Sequence, residues 1–254
     1  MSIVALNAFQ DNYIWLIINS VKKTFICVDP GDATPVISYA KTHGLTLNHI
    51  LITHHHNDHT GGTSDLLDTF PNTTVYGPPD QRIQKLNRPV MDHEHFEIDD
   101  YTFKVFNIHG HTSSHICYYE PKQNWLFCGD TLFSAGCGRV FDGTIEDLYD
   151  ALQLLKNLPE ETQVYCGHEY TRNNLRFALT VEPDNKAIVD YANLLKTSTN
   201  PCSLPSTIKL ERQINPFLRS NEPSMRIFAQ SHGIYTSDSL SIFKCLRQEK
   251  DKFK

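Results

Sequence analysis

The segment Thr53-His54-His55-His56-Asn57-Asp58-His59 sets three imidazoles and a carboxylate, at His54, His56, Asp58 and His59, within six residues. An apolar run, His49-Ile50-Leu51-Ile52, precedes it and Thr60-Gly61-Gly62 follows. Neutral imidazole and carboxylate are ligands that suit Zn, Fe and Mn. Crowded histidines repel once protonated, so a metal is the simplest reason to gather them. Three further turns follow strand-like runs in the same way: Gly110-His111-Thr112, Gly129-Asp130-Thr131 and Gly167-His168. Alone, Gly-Asp-Thr would read as a helix or turn cap. Its shared strand-end context makes Asp130 a ligand candidate.

Seven candidates exceed the needs of one tetrahedral ion. They suit two ions that share a carboxylate. One ion takes His54, His56 and His111, the other takes Asp58, His59 and His168, and Asp130 bridges. Two close cations can hold a bridging water as hydroxide near neutral pH, polarise a carbonyl and stabilise its oxyanion. That chemistry is hydrolysis or a close relative, and it requires no protein nucleophile.

These turns need a scaffold. Residues 3–28 read as strands, bounded by Asn, Asp, Gly and Pro. Residues 34–43 read as a helix with Thr34 as N-cap and Pro35 at its first position. A strand over 49–53 then delivers the histidine turn, and a helix over 60–70 abuts it. Residues 96–98 and 101–108 form a hairpin, and 115–119 pairs with 125–128. Thr144 caps a helix over 145–158 whose apolar positions recur at helical spacing. Beyond Tyr170 strand-like runs stop. Helices are expected over 173–181, 184–196, 206–213, 222–231 and 237–253. Residues 1–169 therefore read as a metal-binding catalytic domain and 170–254 as a small helical domain.

The 254-residue length allows a full core, and the formal charge of −6 argues against a nucleic-acid surface. Seven cysteines without a Cys-x-x-Cys pattern read as reduced, buried residues of a cytoplasmic protein. The N-terminus shows no secretory pattern, and the longest apolar stretch, 14–18, is far too short to span a membrane.

The four ligand turns resemble the metallo-β-lactamase superfamily. Within it the chain is similar to the glyoxalase II, or hydroxyacylglutathione hydrolase, family. The similarity runs through Asn12-Tyr13, Asp29-Pro30-Gly31, Gly110-His111-Thr112-Ser113, Ala135-Gly136-Cys137-Gly138-Arg139, Tyr165-Cys166-Gly167-His168-Glu169-Tyr170-Thr171, Asn215-Pro216-Phe217-Leu218-Arg219 and Arg247-x-Glu249-Lys250-Asp251. The resemblance implies an α+β fold, a four-layer αββα sandwich followed by a small all-α C-terminal domain. It implies hydrolysis of S-D-lactoylglutathione to D-lactate and glutathione, the second step of methylglyoxal detoxification. Two divalent metal ions would serve, zinc first, with iron or manganese admitted. Asp58 and Asp130 would take part in catalysis with the metal-bridging hydroxide. Arg139, Tyr170, Asn174, Arg247 and Lys250 would contact substrate. Arg247 and Lys250, three apart on a helix, project to one face, where they can meet carboxylates. A monomer is expected.

Two positions depart from the family. Ser114 stands where glycine is usual, and serine at positive φ would cost about 1 kcal/mol. Phe141 stands where some members have tyrosine. His55 is expected to point away from the site, His93 and His95 to lie on the surface, and His115 to be structural or superficial. Rival readings are another superfamily hydrolase, a persulfide dioxygenase using a single iron, and a metal-binding module without turnover.

Overall fold

The computed structural model describes residues 2–253. The chain divides into two compact units. One runs to Asn107 and includes Ser114–Gly129; the other comprises Ile108–Ser113 and the chain from Asp130 onward.

The first unit opens with β1 (Ser2–Ala8), β2 (Asn12–Asn19) and β3 (Thr24–Val28) in an antiparallel meander. β2 is buried along its whole length, which explains its unbroken apolar run. Helix α1 (Ala33–His43) crosses over so that β4 (Thr46–Leu51) can pair parallel to β3. The cap of α1 is Asp32, not the expected Thr34. The Asp32 carboxylate accepts from the Thr34 amide at 2.8 Å and so satisfies one of the helix's unpaired donors. The helix expected over 60–70 is two short pieces, α2 (Asn57–Thr60) and α3 (Thr63–Thr69), separated at Gly61-Gly62. Thus Asp58 and His59 lie on a helix rather than before one. β5 (Thr74–Gly77) and β6 (Arg88–Pro89) complete a sheet of order β1-β2-β3-β4-β5-β6.

A second set of strands pairs antiparallel in sequence order: β7 (His95–Ile98), β8 (Tyr101–Asn107), β9 (Ile116–Glu120) and β10 (Trp125–Gly129). An aromatic layer joins it to the first sheet. Tyr76 stacks on Phe96 at 4.9 Å, and the Tyr118 hydroxyl donates to the Ile52 carbonyl at 2.9 Å. Parallel strands end on one edge of a sheet, so the turns after β3 and β4 emerge side by side.

The second unit begins its regular structure with a two-stranded hairpin, β11 (Leu132–Phe133) and β12 (Gly136–Cys137). Helix α4 (Ile145–Lys156) follows, with Thr144 as its N-cap as expected. β13 (Gln163–Cys166) leads to α5 (Thr171–Val181) and α6 (Lys186–Thr197). β14 (Ser206–Thr207) then pairs antiparallel with β13. This short strand interrupts the expected all-helical stretch, and α7 (Ile208–Ile214) starts just after it, capped by Thr207. The unit ends with α8 (Pro223–Ser231) and α9 (Ser239–Lys252) around buried Phe177, Phe217 and Phe243.

Candidate metal centre

In the first unit the ligand set grows from the end of β4. The Thr53 amide and hydroxyl donate to Asp29 at 2.8 and 2.7 Å. Since that hydroxyl is spent as a donor, it accepts from His54 Nδ1 at 3.0 Å. His59 Nδ1 lies 3.1 Å from Asp29 Oδ2 and donates to it. Both imidazoles therefore carry their proton on Nδ1 and keep a lone pair on Nε2. Asp29, His54 and His59 each offer an atom within 4.8 Å of the others. His54 Nε2 and His56 Nδ1 stand 3.1 Å apart, and His59 Nε2 is 3.5 Å from Asp58 Oδ2. Asn12 Nδ2 donates to Asp58 Oδ2 at 3.0 Å. Gly31 passes so close that a Cβ there would lie 1.9 Å from the Asp58 carbonyl oxygen. Only glycine permits that approach.

His55 turns toward Asp80, 3.8 Å away, as expected of a residue between ligands. His115 is not superficial. It is fully buried and stacks on His54 at 4.5 Å and 15°. Ser114 does not adopt positive φ, so the cost considered above does not arise. Its hydroxyl donates instead to Asp80 at 2.5 Å. Arg82 also binds Asp80 and holds that carboxyl far below its ordinary range.

In the second unit three more candidates meet. His111 Nδ1 donates to the Arg139 carbonyl at 2.8 Å, which puts the ring's lone pair on Nε2. His111 Nε2 is 3.6 Å and His168 Nε2 is 3.2 Å from one atom, Asp130 Oδ2. Ligands bonded to zinc at 2.0–2.2 Å in a tetrahedron are spaced about 3.4 Å apart. The separations of 3.1, 3.2, 3.5 and 3.6 Å match such edges, and the donor atoms are those a divalent cation takes. The residues fit metal. Gly138 repeats the device seen at Gly31, since its Cβ would lie 2.0 Å from the Asp130 carbonyl oxygen. Tyr170 stacks on His168 at 4.7 Å and 8°, and Phe141 meets His111 edge-on at 5.1 Å.

The expected substrate residues also lie in this unit. Arg247 and Lys250 share a buried face of α9, with residue exposures of 5% and 9%. Arg247 donates to the Cys137 carbonyl at 2.9 Å and to Asp251 at 2.9 and 3.1 Å, and lies over Phe217. Lys250 Nζ sits over the rings of Phe177 and Phe253. Burial, then Arg247, lowers its pKa to about 8. Arg139 is exposed and stands 3.8 Å from Asp251. Asn174 is buried, and its amide donates to the Ser134 carbonyl at 3.0 Å.

Asn12, Asp29, Thr53 and His115 were not singled out from sequence as site residues. Asp29 had a signal: it follows a strand-like run and precedes Pro-Gly, as the other ligand turns follow theirs. The stacking of His115 on His54 had none.

A family model described as the metallo-beta-lactamase superfamily matches residues 9–168, and one described as the hydroxyacylglutathione hydrolase C-terminus matches 169–253. A hydroxyacylglutathione hydrolase from Legionella pneumophila (strain Corby) is 50% identical over 254 residues, covering 100% of both chains. Hydroxyacylglutathione hydrolase 2 of Vibrio vulnificus (strain YJ016) is 49% identical over 256 residues, again covering 100% of both. The crystal structure of ETHE1 from Myxococcus xanthus superposes with a TM-score of 0.69 at 24% identity, covering 98% of this chain and 90% of that one. That last likeness shows the fold, with its mixed sheets.

Proposed function

Because the chain belongs to the metallo-beta-lactamase superfamily and, within it, to the hydroxyacylglutathione hydrolases, we propose that it hydrolyses S-D-lactoylglutathione to D-lactate and glutathione. The observation that carries this reading is the buried pair Arg247 and Lys250. Two cations are buried on one face of α9, Arg247 on the Cys137 carbonyl and Asp251, Lys250 over two rings, and glutathione brings two carboxylates for such a pair. The same chain carries histidines and aspartates spaced for metal.

His54, His56 and His111 would hold one divalent ion and Asp58, His59 and His168 a second, with the Asp130 carboxylate available to both. Zinc suits this nitrogen and oxygen set best, and iron or manganese would also bind it. When bound, the ions supply an activated water and a Lewis acid for the thioester carbonyl. The chain does the rest. Asn12 fixes the Asp58 carboxylate, which orients the attacking water. Asp29, Thr53 and the Arg139 carbonyl fix the ring tautomers. Tyr170, stacked on His168, donates to a peptide carbonyl of glutathione. Arg139, Arg247 and Lys250 hold its carboxylates. Asn174, committed to Ser134, shapes the wall beside them. A thiolate leaves without much acid assistance, so no general acid is required.

We further assign residues 1–169 to the catalytic domain and 170–254 to the substrate domain, a division supported by the two family models meeting at 168/169. No helix among the described residues is long and apolar enough to cross a membrane. The net charge supports a protein that binds no nucleic acid and the free cysteines a cytoplasmic one, and we take the chain to act as a monomer away from membranes. The test is turnover of S-D-lactoylglutathione by metal-replete protein beside a thioester lacking glutathione, with metal analysis. Turnover of the glutathione thioester alone, with about two ions per chain, is expected. One ion and no thioester turnover would reject the reading.

A further inference from the structure

The hairpin of β11 and β12 is tied by side chains far away in sequence. Its turn, Ser134-Ala135, places Ala135 at φ 55°, and side chains of the helical stretch hold it. The Ser134 hydroxyl and the Ala135 amide donate to the two oxygens of Glu211, each at 2.8 Å. Ser206 donates to the same carboxylate, and Asn215 Nδ2 donates to it at 3.1 Å. Asn215 Nδ2 also reaches the Phe133 and Gly136 carbonyls at 3.1 and 2.9 Å. Glu211 is fully buried, and burial pushes its pKa up. A carboxylate in such a place is expensive unless its partners need it there.

Both ends of this hairpin enter the candidate metal centre. Asp130 lies two residues before β11. After β12, Gly138 donates to the Thr131 carbonyl at 3.1 Å and packs against the Asp130 backbone. The next carbonyl, that of Arg139, takes the His111 Nδ1 proton. The hairpin's outer strand also gives its Cys137 carbonyl to Arg247.

We propose that Glu211 is a positioning residue for the metal centre and the glutathione end together. It touches neither. It fixes the Ser134-Ala135 turn, and through the hairpin it sets where the Arg139 carbonyl meets His111 and where the Cys137 carbonyl meets Arg247. The substrate half of this inference rests on the hydrolase reading above; the metal half does not.

The test compares Glu211→Gln, Ser134→Ala and Lys250→Ala with wild type. The readouts are zinc affinity by competition with a chelating indicator, then kcat and KM for S-D-lactoylglutathione. The Gln amide keeps the shape but turns an NH2 toward groups that donate. Losing a bond behind a metal ligand weakens metal affinity or activity about 10–100-fold. We expect Glu211→Gln to sit near the lower figure in zinc affinity, with kcat down and KM up together. Ser134→Ala removes one donor and shifts the same quantities in the same direction, less. Lys250→Ala raises KM alone. A residue that only braces the core would lower Tm and leave the zinc affinity and KM of the folded protein unchanged. That result for Glu211→Gln overturns the proposal. If Glu211→Gln does not fold, unchanged zinc affinity and KM in Ser134→Ala overturn it. If wild type binds zinc but does not turn over the thioester, the hydrolase reading fails and the zinc arm alone judges Glu211.

Discussion

The two sets of candidate ligands are held by different means. His54, His56, Asp58 and His59 sit in one short segment, braced by side chains at the ends of neighbouring strands of one sheet: Asp29 just after β3, Thr53 just after β4 and Asn12 at the start of β2. His111, Asp130 and His168 come from three separate turns, and a backbone carbonyl fixes the first of them. The difference teaches that a local ligand segment can be tuned by single side chains. A dispersed set depends instead on the path of the main chain. Glycine serves both, since Gly31 and Gly138 let the chain pass within contact of the carbonyls of Asp58 and Asp130.

The largest expected effect breaks the dispersed set at its shared atom. Asp130→Ala removes an oxygen that lies within reach of both His111 and His168. Thioester turnover should fall about a thousandfold, the several kcal/mol a metal centre supplies, with metal content reduced. Retention of two ions and of activity would show that Asp130 bridges nothing. Next, Gly138→Ala and Gly31→Ala should each cost about 1–3 kcal/mol of stability, because both Cβ atoms overlap backbone. Thermal melts that moved for only one of the pair would break the parallel between the sets.

Asp29→Asn sharpens the contrast. It leaves Thr53 and His59 partly bonded but weakens their hold, and should lower metal affinity about tenfold without altering the fold. Competition titration reads it, and an unchanged affinity would mean that His59 needs no brace. The smallest effect concerns pH. Lys250 has its pKa lowered to about 8 by burial, so it is charged below that value and neutral above it. KM for the glutathione thioester should rise a few-fold as pH passes upward through about 8, while Lys250→Ala should show a raised but flatter KM. A flat profile in wild type would remove Lys250 from carboxylate binding.

Much of this was legible in the chain itself. Strand runs, their terminal turns and the helix capped by Thr144 follow from period and punctuation, and the histidine segment declares its donors outright. The N-terminal cap at Asp32 was missed because Thr34 and Asp32 both suit a cap and only the backbone angle decides. The break at Gly61-Gly62 does have a signal in glycine's poor helical propensity, but its cause, the close passage of Gly62 against the backbone of Pro30 and Ala33, comes from far along the chain. The burial of Arg247 and Lys250 cannot be read from helical spacing, which describes a solvated face equally well. Glu211 had no local signal, since its partners at Ser134 and Ala135 are 77 and 76 positions away.

Six of the seven cysteines are buried and Cys202 is half-covered. Burial holds Cys27, Cys117, Cys137 and Cys166 above the ordinary thiol range. A thioester transfers its acyl group readily to any thiolate it meets. Keeping these sulfurs protonated and out of reach leaves water as the acceptor of the acyl group, so the enzyme is spared acylation by its own substrate.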